Sequence, residues 1–419
     1  MNSIIKIYLN LYVFVYALYV FFNKGISYSF LAEGVLALGV VLIFLNRKSY
    51  KILLDKRVYL LLFFLFITTI YFIRGTMNFD WFSVTRDAFM FYYILFAFIM
   101  FLFQDELPYL FKRLCLIYKW FPLVACVSFL SLAYVPFFSA LKIFGNNHLL
   151  LYKSGDMAVH LFISSILFLN GYIQVSKRFL IVNAVLVIYL FFITSTYSRG
   201  GMLAFILAFC IYLYFSKEIK GKAILSTYGK YLLIIIIITF PLFLMTNVKE
   251  NFQGRKLGID QLKENIVSIV NPNIEGTLSD NKIWRLVWWS KIVQYTFGGE
   301  YFLQGKGLGM SLVATDEIIT DDAELRSPHN FHLNILARFG VPIFLVWLCW
   351  LFFHFKKIRD KKENQFQLMI LAMMIAFIIN ATFDVFLEGP MGAFPFWTLV
   401  GISYVADTFE IQMTPILKS

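Results

Sequence analysis

Charged residues are scarce in this 419-residue chain: Asp, Glu, Lys and Arg make up 15% of it, whereas hydrophobic residues make up 60%. A soluble protein of this length could not cover so much apolar surface with so few charges, which excludes an ordinary water-soluble fold. Cysteine is also rare. The four cysteines lie in apolar stretches, without the spacing of a metal site or a disulfide framework, and are expected to be buried: Cys115, Cys126, Cys210 and Cys349.

Two further classes of protein are excluded by what the sequence lacks. The first apolar run has no small-residue cleavage site and further apolar runs follow it directly, so no cleavable signal peptide is expected. The net charge of +12 would suit nucleic acid, but the positive residues lie between apolar runs rather than on one face. We therefore expect no nucleic-acid partner and expect membrane lipids to be the surrounding solvent.

Long apolar runs, in contrast, are abundant. A bilayer core needs roughly 20 apolar residues per helix, and the sequence predicts about twelve such spans. The predicted fold is an all-α, polytopic integral membrane protein. The spans are predicted near residues 5–22, 28–45, 58–73, 88–103, 114–136, 157–175, 179–196, 200–216, 231–246, 332–354, 366–386 and 391–408.

The positive residues predict an orientation for these spans. With a cytoplasmic N-terminus, the cytoplasmic connections carry clusters such as Arg47 with Lys48 and Lys356 with Lys357, whereas the short outside loops carry few, such as Lys153. An error of one span would destroy this asymmetry. Both termini are therefore predicted to be cytoplasmic.

The same count divides the chain into three parts. Residues 1–246 are predicted to form nine transmembrane helices, 247–330 a large outside loop, and 331–419 three more helices with a short cytoplasmic tail. Within the loop, "DNKIWRLVWWSKIVQY" is typical of an interfacial amphipathic helix. A loop of this length with its own helices is usually functional, so the active machinery is expected to face the outside.

Arg199 is the first candidate for a role in chemistry. It lies in "TSTYSRGGMLAF" between two apolar runs and is followed by Gly200 and Gly201. A charge at a membrane boundary is costly unless paired or hydrated, and guanidinium suits bidentate phosphate binding. The glycines would let backbone N–H groups at a helix start approach the same anion. The alternative is an arginine that extends towards headgroups at a tight turn; the scarcity of positive residues on this side favours function.

Arg285, in "KIWRLVWWSK", is the second candidate. Taken alone, it is better explained as the arginine of an interfacial helix that meets lipid headgroups.

The third candidate is "RSPHNFHLNILARFG", where the polar loop gives way to an apolar run. Pro328 marks a turn, so His329 and Asn330 fall near the start of the following helix. A single histidine on an apolar helix is more often hydrogen-bonded in a core. Here, however, Arg326 and Arg338 lie within about three helical turns of it.

A metal or a nucleotide is not expected at this cluster. His329 and His332 form H-x-x-H, which lacks the i, i+4 register and the glutamate of a zinc motif. The nearby "TDDAE" is the one feature that would favour a metal. "GKGLGM" resembles a nucleotide loop only superficially, because no strand precedes it and the trailing Lys-Ser/Thr is missing.

About twelve spans, a long outside loop late in the chain, "YSRGG" before it and "SPHNFHLNILARFGVPI" at its end together resemble the O-antigen polymerase and ligase superfamily. The resemblance covers roughly residues 180–400, and the front half matches only in hydropathy. Members of that family build surface polysaccharide at the outer face of the bacterial inner membrane. They move a glycan from an undecaprenyl-pyrophosphate carrier to an acceptor by an inverting, metal-independent route. The resemblance implies a periplasmic active site and no cofactor.

The resemblance also implies roles for single residues. Arg199 matches the family arginine that holds pyrophosphate, Arg285 matches the loop arginine by a looser alignment, and His329 matches the essential histidine. The residues expected to support this site are Gly200, Asn330, Arg338 and Asp384.

The chemistry of these side chains agrees with the roles that the resemblance implies. The lipid-pyrophosphate leaving group is already activated, so ATP is not needed, and guanidinium groups in a poorly solvated site stabilise its growing negative charge. A neutral His329 within hydrogen-bond reach would take the proton of the acceptor hydroxyl. Alternatively, His329 binds pyrophosphate and a carboxylate such as Asp384 is the base; Asp384 and Glu388 would pair with the arginines or receive a proton.

Three functions remain open. A polymerase joins repeat units on lipid carriers, with a chain-length regulator as a further partner, and a ligase moves the finished glycan to lipid A–core. The shared motif does not separate them; polymerases are the more numerous, which favours that reading. A flippase for lipid-linked oligosaccharide should show inverted repeats and charges near the bilayer midplane, and the sequence has neither.

Overall fold

The structure is a computed structural model that describes residues 3–27, 29–46, 55–135, 137–138, 141–143, 147–149, 153–216, 236–237, 239–246, 258–270, 277–318, 325–360 and 364–408. Over these ranges the chain is almost entirely helical. The strands among them are two short ones, β1 (Lys142–Ile143) and β2 (Asn147–His148), which pair antiparallel. The all-α prediction is confirmed.

The α-helices are numbered here in chain order. They are α1 (Ser3–Phe22), α2 (Leu31–Leu45), α3 (Lys56–Thr76), α4 (Trp81–Tyr92), α5 (Leu95–Ile99), α6 (Leu107–Tyr134), α7 (Ser154–Leu169), α8 (Lys177–Tyr197), α9 (Arg199–Ser216), α10 (Ile259–Val270), α11 (Thr277–Phe297), α12 (Leu312–Thr315), α13 (Phe331–Asp360), α14 (Gln365–Ala381) and α15 (Pro390–Thr408). Short 3-10 helices cover Asn23–Ile26, Met100–Phe103 and Phe386–Glu388.

The length and composition of these helices fit a multi-pass membrane protein. Within the described ranges, six helices are long and apolar enough to cross a bilayer, and a seventh span results if α4 and Leu95–Phe103 count as one bent helix. The apolar helices α2, α7 and α14 are shorter. The count of about twelve, the orientation and the outside placement of residues 247–330 stay predictions. Residues 231–235 and 238 of the span predicted near 231–246 lie outside the described residues.

Several helices differ from the predicted spans. The span predicted near 88–103 is broken after Tyr92, and its two halves meet at 47°. α6 begins at Leu107 rather than near 114, because Pro108 fits the first turn of a helix. α14 ends at Ala381, so residues 382–385 form a turn before the 3-10 helix Phe386–Glu388.

Two glycines bring the starts of α7 and α9 into direct contact. A Cβ atom on Gly201 of α9 would lie 2.6 Å from the Cα atom of Gly155 in α7. Small residues of this kind allow helix backbones to approach closely in a membrane. A Cβ atom on Gly155 would in turn lie 2.7 Å from Oδ1 of Asn380, near the end of α14. Three helix ends therefore converge.

α13 is broken at Gly340, whose φ is 77°. At this break the Val341 N–H donates to the Phe302 carbonyl at 2.8 Å, and the Lys306 N–H donates to the Ala337 carbonyl at 2.8 Å. The backbone of the segment "GKGLGM" is thus held against α13. This close approach leaves no room for a side chain at Gly305, where a Cβ atom would lie 2.4 Å from the carbonyl carbon of Arg338.

Candidate functional site

His329 precedes α13 in a backbone conformation that few side chains adopt. Its φ is 52°, in the left-handed region, which costs a non-glycine residue about 1–2 kcal/mol and recurs at functional sites. The next residue, Asn330, caps the helix, because its Oδ1 accepts from the Leu333 N–H at 3.1 Å. Trp289 of α11 donates from Nε1 to the Pro328 carbonyl at 2.8 Å. The predicted position of His329 and Asn330 at a helix start is confirmed.

Arg285 of α11 reaches the imidazole of His329. Its Nη2 lies 3.2 Å from Nδ1 of His329, and its Nη1 donates to the Phe383 carbonyl at 3.1 Å. The ring of Trp284 meets the imidazole edge to face, with centroids 5.7 Å apart. The helix within residues 247–330, the start of α13 and the turn after α14 therefore meet around one histidine.

The contact between Arg285 and His329 also determines which imidazole nitrogen carries the proton. A guanidinium group only donates hydrogen bonds, so Nδ1 of His329 must be the acceptor. The neutral imidazole in this arrangement is then protonated on Nε2.

Asp384 follows Phe383 in the same turn and pairs with Lys153, the residue before α7. Its Oδ1 also accepts from the Val385 N–H at 2.6 Å. Burial alone would raise the pKa of the Asp384 carboxyl, but the Lys153 ammonium lowers it below its ordinary value. The ion pair found for Asp384 is therefore with a lysine rather than with an arginine.

Arg199 lies at the edge of this cluster, as the first residue of α9. The adjacent Gly200 packs against the turn after α14: a Cβ atom at Gly200 would lie 2.7 Å from Cβ of Phe383. Ser198 holds the helix start, because its Oγ accepts from the Gly201 N–H at 3.0 Å. Arg285 and the start of α9 therefore both contact the turn at residues 383–384.

Arg338 lies in a different set of contacts from His329. It is 1% exposed and its Nη1 lies 2.8 Å from Oδ2 of Asp87 in α4. Its Nε donates to Oδ1 of Asn334 at 2.9 Å, and its Nη1 donates to the Gly307 carbonyl at 3.2 Å. Arg338 therefore ties α4 and the glycine segment to α13.

The place of Lys153 does not follow from the sequence, which predicts this residue only as one of the few positive charges outside. Lys153 and Asp384 are 231 residues apart, and no spacing links them. Glu388 was expected to pair with the arginines or to receive a proton. Burial raises the pKa of its carboxyl to about 7.

The described residues contain no group of three or more His, Cys, Asp or Glu side chains that could hold a metal ion. Asp321, Asp322 and Glu324 of "TDDAE" lie outside the described residues.

Fold and site together define a multi-pass membrane protein with a cluster of cations and carboxylates where several helix ends meet. Residues 184–348 match the family model described as O-Antigen ligase, so the resemblance to the O-antigen polymerase and ligase superfamily is confirmed over this segment. The match includes Arg199, Arg285 and His329, and it supports a glycosyl-transferring membrane enzyme that acts on a lipid-linked glycan and an acceptor. A search of curated proteins gave no match.

Proposed function

We propose that the protein transfers a glycan from undecaprenyl pyrophosphate to an acceptor hydroxyl, at the periplasmic face of the bacterial inner membrane, during synthesis of surface polysaccharide. The observation that carries the proposal is the contact of Arg285 with His329, beside the start of α9 with Arg199. This contact joins an anion-binding group to a proton acceptor within the segment that matches the O-Antigen ligase family.

The donor would be held by Arg199 and Arg285. Both guanidinium groups remain charged at any working pH and fit phosphate oxygens in a bidentate manner. During transfer, negative charge grows on the departing pyrophosphate, and cations fixed in a poorly solvated site stabilise that charge. The reaction then needs neither ATP nor a cofactor.

His329 would be the general base, and the donor itself would make it available. Arg285 donates to Nδ1, which is the unprotonated nitrogen of the imidazole. When Arg285 turns to the pyrophosphate oxygens, Nδ1 can accept the proton of the acceptor hydroxyl in place of this hydrogen bond. Donor binding would thus make the base available, which limits wasteful hydrolysis.

The transfer step is a single displacement with inversion. The acceptor oxygen forms a bond to the anomeric carbon as the bond from that carbon to the pyrophosphate oxygen breaks. The hydroxyl proton passes to Nδ1 of His329, and undecaprenyl pyrophosphate leaves with the bonding electron pair. Asp384 is a poorer base, because a carboxylate that accepts from the Val385 N–H binds a proton more weakly than a neutral imidazole does.

For the acceptor we favour a second lipid-linked glycan, which makes the protein an O-antigen polymerase. The second candidate is an O-antigen ligase that uses lipid A–core, and the description of the matching family favours it. The two enzymes share the donor chemistry and differ only in the acceptor.

The two candidates are separated by a gel of lipopolysaccharide from cells that lack the gene. The strain is complemented with the wild type, with His329→Ala, or with the exposed control Arg74→Ala. A core with a single repeat unit indicates a polymerase; a core without repeats, with polymerised glycan left on the lipid carrier, indicates a ligase. An unchanged ladder in the deletion strain, or full complementation by a properly inserted His329→Ala protein, would contradict the proposal.

A further inference from the structure

Lys153 and Arg285 contact neighbouring residues of the turn after α14. The Lys153 ammonium contacts Asp384, and the residue before Asp384 accepts a hydrogen bond from Arg285. Lys153 and Arg285 are also near enough for their charges to interact unfavourably. The site therefore contains a cation beyond Arg199 and Arg285, and it comes from outside the segment that matches the family.

The main chain of Lys153 is fixed, whereas its side chain is partly open. The Lys153 N–H donates to Oδ1 of Asn23 at 3.3 Å, and its carbonyl accepts from the Met157 N–H in the first turn of α7 at 3.0 Å. The side chain is 19% exposed. The ammonium can thus change partners by rotation about its own side-chain bonds, without movement of α7.

The charges around Lys153 allow its ammonium to exchange Asp384 for another anionic partner. Burial lowers the pKa of the Lys153 ammonium, but the Asp384 carboxylate outweighs this effect, so the ammonium stays protonated. The same carboxylate offsets the repulsion between Lys153 and the neighbouring Arg285. A pyrophosphate group carries more negative charge than one carboxylate, so it competes effectively for the ammonium.

We propose that Lys153 is a third cation of the donor pyrophosphate site and that Asp384 holds its ammonium until the donor arrives. This inference rests on the proposed function, since it assigns a further ligand to the same anionic group. Lys153 is a binding residue here and takes no proton from the acceptor.

The alternative is that Lys153 merely neutralises Asp384 as part of the fold, and a double-mutant cycle separates the two roles. The purified full-length protein is compared as wild type, Lys153→Met, Asp384→Asn and the double variant. The measurement is the affinity for undecaprenyl pyrophosphate in lipid nanodiscs. The double variant removes both members of the Lys153–Asp384 ion pair, so it keeps the test valid if Lys153→Met alone misfolds.

We expect Lys153→Met and the double variant to bind the probe at least tenfold more weakly than the wild type. Asp384→Asn should bind as well as the wild type or better, because a competing anion is removed. Lys153→Arg should stay within about threefold, since it retains the charge. Wild-type affinity in the double variant would overturn the inference, because Lys153 would then serve only to neutralise Asp384.

Two further variants complete the design. Arg74→Met, which removes a positive charge from an exposed side chain that bonds Gln304, should leave the affinity unchanged. Arg285→Ala distinguishes a failure of the role proposed for Lys153 from a failure of the proposed pyrophosphate site. If it weakens binding whereas the double variant does not, only the role of Lys153 fails; if neither changes the affinity, the proposed pyrophosphate site fails as well.

Discussion

Single residues at this site act through the directions of their hydrogen bonds as much as through their charge. Arg285 donates from one nitrogen to His329 and from another to the Phe383 carbonyl. A planar guanidinium can serve two partners at fixed angles, whereas an ammonium is a point charge. The exact chemical group therefore matters at this position.

Replacement of Arg285 by lysine should consequently be costly although the charge is kept. We expect kcat/KM for glycan transfer to fall at least tenfold, which corresponds to about 1.4 kcal/mol, with most of the loss in KM for the donor. The matched control is Arg74→Lys, since Arg74 makes an exposed hydrogen bond to Gln304 and should tolerate the change. Equal activity of both variants would contradict the role given to Arg285.

The buried carboxyl of Glu388 is expected to make the stability of the folded protein depend on pH. Burial raises the pKa of this carboxyl from 4.5 to about 7, so the folded protein binds the proton more tightly than the unfolded chain does. This contribution to stability is present at low pH and is lost as the pH rises through about 7. Glu388→Gln removes the penalty of a buried charge.

Thermal unfolding in detergent at about pH 5 and about pH 8 tests this sign. The Glu388→Gln variant should gain stability relative to the wild type as the pH rises. A difference that stays constant with pH, or that favours the wild type at the higher pH, would show that burial does not control this carboxyl.

Among the helices, the contact between the starts of α7 and α9 controls the position of Arg199. Gly201 faces the backbone of Gly155, where a Cβ atom would lie 2.6 Å from Cα. Gly201→Ala must push the helices apart, and overpacking of this kind costs about 1–3 kcal/mol. We expect lower thermal stability together with weaker binding of the donor, because Arg199 moves with the start of α9.

The control for this change is Gly34→Ala in α2, where an added Cβ atom meets nothing within 4 Å. An alanine there should be neutral or slightly stabilising, by up to about 1 kcal/mol, because alanine is the better helix former. Similar effects of both substitutions on stability and binding would argue against a special role for the α7–α9 contact.

Across the whole molecule, distant segments are joined by buried ion pairs. Arg338 of α13 meets Asp87 of α4, and Asp87 Oδ2 also accepts from the Gly309 N–H at 3.0 Å. Another cluster joins the start of α3 to the end of α15, where Arg57 Nη2 lies 2.7 Å from Asp407 Oδ2. His329 lies just before α13. The anchoring of α13 by Arg338 therefore helps to fix the position of His329.

Asp87→Ala should therefore destabilise the whole protein. Loss of one partner leaves Arg338 buried without its counter-ion, which costs about 3–5 kcal/mol. Thermal unfolding measures this loss, and the double variant Asp87→Ala/Arg338→Met should recover part of it. A double variant no more stable than the single one would mean that the pair contributes through its hydrogen bonds to the glycine segment.

The sequence predicts features that depend on residues near one another in the chain, but not contacts between residues far apart in it. Local signals succeeded: Pro328 placed His329 at a helix start, and the tryptophan-rich pattern of residues 280–295 predicted a helix within α11. Long-range partners were out of reach, because nothing in the spacing links Lys153 to Asp384 or Asp87 to Arg338. The break after Tyr92 was also missed, since hydropathy continues unchanged across it.

Single-turnover kinetics can measure whether His329 is the general base of glycan transfer. The purified wild type and His329→Ala are compared for the rate of transfer from a saturating lipid-linked donor and for affinity to undecaprenyl pyrophosphate. We predict that the rate falls by about 10²–10⁴-fold, while the affinity changes by less than about threefold. An unchanged rate in the folded variant, or a loss confined to affinity, would contradict the account.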